Sequence, residues 1–240
     1  MADAARLHRR RRRTEAGRTL LEGPHLVGEA IAAGMVPDTI FALDDDGDGR
    51  AWAERAGCEL LTVTPEVLGK IATTETPQSP VAIVPIPDGA LPATGSVLVA
   101  WGVSDPGNAG TLIRTAAAFG LAYAAGPDTA DTWSPKVLRA AAGAHFRAPI
   151  ASIGSLDDLA GRTLVATVVS GGAAPRDLPE GDLAVLVGDE AAGLPDDVTA
   201  AAGLAVTIPM PGGTESLNAA VAGAIVAYEI GLRGGGEGGG

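Results

Sequence analysis

The sequence predicts an α/β protein, a parallel sheet covered by helices on both faces with a smaller α/β unit in front of it. From Ser96 onward, short apolar runs alternate with helical stretches, the pattern of a sheet assembled from strand, helix and strand units. Three of those runs end in loops rich in small or polar residues that feed helices: SVLVAWGVSDPGNAG at 96–110, VLVGDEAAGLP at 185–195 and VTIPMPGGTESLNAA at 206–220. Residues 73–94 hold Pro77, Pro80, Pro85, Pro87 and Pro92 around one apolar strand at 81–84, which places a domain boundary near residues 88–95.

Leu20 to Ala33 reads as a short strand or turn entering a helix, with Leu26, Val27, Ala30 and Ile31 on one face and Gly34 as its stop. A strand at 39–43, an acidic loop at 44–49, a short helix at 51–56 and a strand at 60–63 follow. In the second half, strands are expected at 97–101, 122–125, 163–169, 183–187 and 205–208, with helices at 109–119 and 135–142. A last helix follows the loop Pro211-Gly212-Gly213. Thr214, Glu215 and Ser216 offer it N-cap chemistry, Ser216, Leu217 and Asn218 fall in its first turn, and Ala219, Val221, Ile225 and Tyr228 run along it. No internal repeat of fixed period is present.

Composition bounds the chemistry. A hydrophobic content of 46% in 240 residues is ample for a buried core. No apolar run reaches the roughly 20 residues of a membrane span, and the Arg-rich N-terminus lacks the apolar segment of a secretory signal, so a cytoplasmic protein without membrane contact is expected. Cys58 has no partner for a disulfide, and His8, His25 and His145 are not spaced with it as zinc ligands, so no metal is expected. Aromatics at 3% exclude a stacking platform for single-stranded nucleic acid.

The net charge of −12 argues against a surface that attracts phosphate everywhere, but the charge is unevenly spread. Arg6, Arg9, Arg10, Arg11, Arg12, Arg13 and Arg18 lie within the first 18 positions, opposed only by Asp3 and Glu15. Residues 1–18 read as a basic, disordered arm that binds RNA in a salt-dependent way, or as a solvated tail. GGGEGGG at 234–240 reads as a flexible tail.

DPGNAGTLIRTAAAFG (105–120), VLVGDEAAGLP (185–195) and IPMPGGTESLNAAVAGAIVAYEI (208–230), in this order and spacing, resemble the three motifs of the SpoU (TrmH-type) ribose 2'-O-methyltransferases of the SPOUT class. The likeness extends to SPKVLRAAAGAHFRAPI (134–150) and to RRRRRTEAGRTLLEGPHLVGEAIAAG near the N-terminus. It implies a methyltransferase domain over 95–233 with a deep trefoil knot, a small RNA-binding domain over 19–90, pairing as a homodimer, and transfer of methyl from S-adenosylmethionine to rRNA or tRNA. The residues alone would give an ordinary doubly wound sheet, because a knot has no sequence period.

By the same resemblance, Gly188, Ile208 and Leu217 hold the adenosyl group through their main chain, and Met210 and Ala219 complete the pocket wall. Packing alone would also explain Ile208 and Leu217. Arg114 matches the family's essential arginine; amid Leu112, Ile113 and Ala116–Ala118 it is expected to be buried. A guanidinium is a poor base, so electrostatic stabilisation of the developing alkoxide and a hold on the adjacent phosphate fit it better. Glu190 would orient Arg114, or the two would form an ion pair that braces the loops. Asn108 and Asn218 would position substrate or brace loops, and Ser216 would hydrogen-bond near the reacting centre. Arg139 and Arg147 would reach RNA or a partner subunit, or stay solvated. Asp189 departs from the family pattern, where a small polar residue usually stands. The alternative reading is a non-catalytic RNA-binding or ribosome-assembly protein that keeps the fold. A nicotinamide enzyme is excluded by the missing GxGxxG spacing.

Overall fold

The computed structural model describes residues 2–234. In chain order the first elements are α1 (Ala2–Arg6), α2 (Arg10–Ala16), β1 (Arg18–Glu22), α3 (Pro24–Ala32), β2 (Thr39–Ala42), α4 (Gly47–Ala56), β3 (Glu59–Thr62), α5 (Pro65–Ile71) and β4 (Val81–Pro85). Then come β5 (Val97–Ala100), α6 (Pro106–Ala118), β6 (Ala122–Ala125) and α7 (Pro135–Ala141). The rest are β7 (Ile150–Ser152), β8 (Thr163–Thr167), β9 (Leu183–Val187), α8 (Asp196–Ala201), β10 (Leu204–Val206) and α9 (Ala219–Gly234). The chain divides into two compact units, one running to Asp88 and including Trp133–Phe146, the other formed by Gly89–Thr132 and the chain from Arg147 on.

The first unit is a four-stranded sheet in the order β1-β4-β2-β3, with β4 antiparallel to both of its neighbours. Period-2 alternation sends Leu21, Ile40, Ala82 and Val84 into one cluster with Leu26, Val27, Ala30 and Ile31 of α3, and Leu20, Phe41 and Val81 into another with Leu68 and Ile71 of α5. Local chemistry sets the helix ends: the Asp46 carboxylate accepts from Gly49 N, so α4 begins inside the expected acidic loop, and Gly57 closes it at φ 66°.

Two expectations fail in this unit. The basic arm is not disordered among its described residues: Ala4 and Leu7 join the second cluster, and Gly17, at φ 61°, ends α2 and turns the chain into β1. Leu7→Ala is therefore expected to destabilise the protein by about 2–4 kcal/mol in urea unfolding, whereas a loose tail would leave the midpoint unmoved. Secondly, α7 was expected in the methyltransferase domain, but Leu138 packs in the core of the first unit and Thr19 Oγ1 donates to Trp133 O at 2.7 Å.

The second unit is a six-stranded, wholly parallel sheet in the order β10-β8-β9-β5-β6-β7. β5, β6 and β9 are buried along their whole length, as strands covered on both faces require. On one face Val97, Val99, Ala122, Ala124, Ala184 and Leu186 cluster with Leu159 and Val198. On the other, α6 and α9 pack together over β5 and β9, where Gly223 permits the approach: a Cβ there would lie 2.5 Å from Leu112 Cδ2. β10 stops at Val206, short of the expected end at Ile208. The Gly-rich tail lies, beyond Gly234, outside the described residues.

Candidate active site

All three motif loops leave the carboxyl ends of parallel strands, where an open α/β sheet binds its ligands. After β5, Asp105 caps α6 by accepting from Asn108 N at 2.8 Å, with Pro106 at the first helical position, which fixes Asn108 in the first turn. After β9, Asp189 and Gly193 bridge each other, Asp189 N donating to Gly193 O at 3.2 Å and Gly193 N to Asp189 O at 2.9 Å. After β10, an exposed loop runs to Asn218, and α9 starts only at Ala219. Asn218 is its cap, with Oδ1 accepting from Ala220 N at 3.0 Å and Val221 N at 3.2 Å. The expected N-cap chemistry at Thr214–Ser216 is not used, because an asparagine lay closer to the first apolar turn.

The same Asn218 joins the three loops. Its Nδ2 donates to Asn108 Oδ1 at 2.9 Å and to Glu190 Oε2 at 3.1 Å, and Asn108 Nδ2 donates to Glu190 Oε2 at 3.2 Å. A side-chain amide has two N–H donors and one carbonyl oxygen, so these four contacts use all of Asn218. Asn108 keeps one N–H and Glu190 keeps Oε1. Asn218 thus braces the loops, while Asn108 and Glu190 still have polar capacity to spare.

Arg114 departs from expectation. It is exposed on α6 rather than buried, and it makes no hydrogen bond or ion pair among the described residues. Glu190 is held by the two asparagines instead, so neither the orienting contact nor the bracing ion pair with Arg114 forms. The helical period explains the exposure: Leu112, Ile113 and Ala116 point inward while Thr111, Arg114 and Ala118 share the outer face.

Beside the braced loops lies a cleft of about 430 Å³. Gly188, Ile208, Met210, Leu217 and Ala219, expected to hold a cofactor, all line it, together with Glu190 and Ser216. Asn108, Arg114 and Asn218 stand outside that lining. On α9, Val221 and Tyr228 are about half exposed while Ala220, Gly223, Val226 and Ala227 are buried, so part of the face expected to run inward is solvent-facing. No group of three or more metal-ligating side chains occurs among the described residues.

Two residues were missed as site members. Asp189 Oδ1 accepts from Ala191 N at 3.0 Å and Ala192 N at 3.3 Å, and Ser104 Oγ donates to its Oδ2 at 3.2 Å. Those backbone N–H groups hold the Asp189 carboxyl below its ordinary range. An aspartate two residues before Ala191-Ala192-Gly193, able to accept from the backbone two and three positions on, is the sequence signal of such a turn.

The arginines separate by environment. Arg9 and Arg10 are exposed, Arg11 and Arg12 are exposed and paired with Glu15 at 2.7 and 2.9 Å, and Arg147 is exposed ahead of β7. Arg13 is buried, donating to Leu7 O at 2.7 Å and His8 O at 3.0 Å, so it ties α2 to the link that follows α1 and is not available to RNA. Arg139 is half-buried and donates to Thr73 Oγ1 at 2.7 Å; that hydroxyl donates in turn to Glu22. It thereby serves as a strut of the first unit. Burial alone would raise the Glu22 carboxyl, but donors from Thr74, Thr73 and Gln78 outweigh it and hold the group low.

A parallel sheet whose carboxyl-end loops are braced around a ligand-sized cleft defines a nucleotide- or cofactor-binding α/β protein. The chain belongs to the SpoU rRNA methylase family, which matches residues 95–228, and residues 2–82 match the MRM3-like substrate binding domain. It is 34% identical over 236 residues, 95% of this chain and 94% of the other, to the 23S rRNA (guanosine(2553)-2'-O)-methyltransferase RlmP of Bacillus subtilis. Among solved structures, the SpoU methyltransferase AviRb of Streptomyces viridochromogenes in complex with AdoMet superposes with a TM-score of 0.87 at 25% identity, covering 97% of this chain and 96% of that one. The AdoMet-bound rRNA methyltransferase of Sinorhizobium meliloti gives 0.85 at 31% identity, covering 97% and 94%.

Proposed function

We propose that this protein is an S-adenosylmethionine-dependent RNA ribose 2'-O-methyltransferase. The observation that carries the reading is the meeting of Asn108, Glu190 and Asn218, from three separate loops, within 3.2 Å of one another beside the cleft. The cleft fits the cofactor: its volume lies in the range of small-molecule sites, and its lining mixes apolar walls such as Ile208 and Leu217 with the main chain of Gly188. Bound there, S-adenosylmethionine supplies an electrophilic methyl group on a sulfonium.

The chain's own residues then orient and stabilise. Glu190 and Asn218 fix the Asn108 amide, leaving one N–H for a substrate oxygen. Arg114, always cationic, stabilises the negative charge that grows on the ribose 2'-oxygen as its proton leaves to solvent, and holds the neighbouring phosphate. Ser216 donates near the reacting centre from the cleft rim. The exposed arginines Arg9, Arg10, Arg11 and Arg12 of the first unit, with Arg147, bind phosphates. Arg9→Ala with Arg10→Ala is expected to flatten the slope of log K against log salt by about 1.5, at roughly 0.7–0.9 for each phosphate no longer neutralised. Filter binding at several salt concentrations reads this directly, and an unchanged slope would remove the patch from the interface.

The deep trefoil knot, a homodimer and a cytoplasmic site of action belong to the same proposal. Likeness to SpoU structures over the whole chain supports the knot. Val221, Tyr228 and Leu232, exposed along one side of α9, would give a second copy an apolar face. An rRNA substrate accounts for the location. The test is calorimetric titration with S-adenosylmethionine followed by tritiated methyl transfer to 23S rRNA, 16S rRNA and tRNA. Binding with transfer to one RNA establishes the activity and its substrate; binding without transfer to any of them supports the non-catalytic RNA-binding alternative.

A further inference from the structure

Two consecutive acidic residues follow Gly188, and each reaches back to the segment that opens α6. Glu190 takes Asn108 Nδ2 at 3.2 Å; Asp189 takes Ser104 Oγ at 3.2 Å, across 85 positions of sequence. The Asp189 carboxylate has a second task on its other oxygen, where Ala191 N and Ala192 N curl Asp189–Gly193 into the hairpin that walls the cleft. Ser104 immediately precedes Asp105, the cap that sets the start of α6 and so the places of Asn108 and Arg114. One carboxylate therefore shapes the cleft wall with Oδ1 and grips the root of the catalytic helix with Oδ2.

We propose that Asp189 and Ser104 are positioning residues whose hydrogen bond couples the cofactor-lining hairpin to the helix carrying Asn108 and Arg114, so that the transfer step depends on a residue pair that touches neither methyl nor ribose. The inference rests on the methyltransferase reading and adds to it a pair the three motifs do not assign. Oδ1 and Oδ2 do different work, and this makes the pair separable. Removing the Ser104 hydroxyl leaves the hairpin's own bonds intact and frees only the helix root. Removing the Asp189 carboxylate loses both. An asparagine at 189 retains an acceptor for Ala191 N and Ala192 N and offers Nδ2 to Ser104 Oγ.

Full-length Ser104→Ala, Ser104→Thr, Asp189→Ala and Asp189→Asn are compared with the unsubstituted protein for S-adenosylmethionine Kd by calorimetry, for kcat and KM of methyl transfer, and for thermal unfolding midpoint. Ser104→Ala is expected to lower kcat about five- to tenfold, the scale of one hydrogen bond, with Kd within about twofold and the midpoint unmoved; Ser104→Thr restores kcat. Asp189→Ala is expected to weaken cofactor binding about tenfold as well as kcat, and Asp189→Asn to recover both. A Ser104→Ala enzyme with full kcat, or a loss that threonine does not restore, overturns the coupling. A fall in kcat that follows the unfolding midpoint across all four variants also overturns it, since that is what a purely structural contact gives. Failure of the methyltransferase reading shows first in the unsubstituted protein, as absence of cofactor binding or transfer to any RNA, and takes the coupling with it.

Discussion

Arg114→Ala is expected to lower methyl transfer by about 10²–10³-fold, the loss seen when one preorganised electrostatic donor is removed, while cofactor affinity and stability stay at their original values. The separation follows from where the side chain sits. Arg114 is exposed on α6, bonded to nothing among the described residues, and outside the cleft lining, so its removal opens no cavity, leaves no orphaned partner and takes nothing from the cofactor. What disappears is a permanent cation about 9 Å along the helix from Asn108, at six residues of 1.5 Å rise. Arg114→Lys keeps the charge and loses the planar fork, so an intermediate rate is expected if both the alkoxide and a phosphate are held. Single-turnover transfer, calorimetry and thermal unfolding on the two variants check this. An alanine variant that turns over normally would sink the electrostatic role, and one that binds cofactor poorly would mean the arginine serves the pocket.

What the sequence revealed depended on how local the deciding forces were. β9 was legible to the residue because Asp182 and Gly188 bound its continuous apolar run, and the end of β6 because Gly126 stops its own. α6 began three residues before the apolar pattern did, since Asp105 and Pro106 set its start by capping rather than by burial. α1 and α2 were hidden for a related reason: the arginine run dominates the composition, while only Ala4 and Leu7 mark the buried side. α7 forms where its helical pattern predicts, but its neighbours in sequence say nothing about which sheet Leu138 meets. In the site, Gly188, Ile208, Met210, Leu217 and Ala219 were placed at the cleft by the motifs, whereas Thr167, Val168 and Val169, which also line it, lie in no motif. The partner of Glu190 was not legible: charge pairing favoured Arg114, but the chain brings two amides to the carboxylate and turns the arginine outward.

Gly188→Ala is expected to weaken S-adenosylmethionine binding by about 10–100-fold, the equivalent of the 1–3 kcal/mol that overpacking a tight site costs. Its requirement is space. A Cβ at Gly188 would fall 2.3 Å from Gly193 C and 2.4 Å from Leu194 N, and backbone atoms cannot swing aside as a side-chain tip does. The hairpin closed by the two Asp189–Gly193 bonds would have to open, taking with it the wall at Ala191 and Ala192 and displacing Glu190 from Asn108 and Asn218. Gly193, at the other end of the same hairpin, is the matched control. It has φ 70°, and a Cβ there would meet no atom within 4 Å, so Gly193→Ala incurs only left-handed backbone strain of about 1–2 kcal/mol. That strain falls on a turn already held by Asp189, and its effect on binding should be the smaller of the two. Calorimetric titration of both variants separates the causes: equal losses would mean the hairpin is merely fragile, whereas a loss concentrated at Gly188 ties cofactor affinity to the close approach of the two strands of the turn.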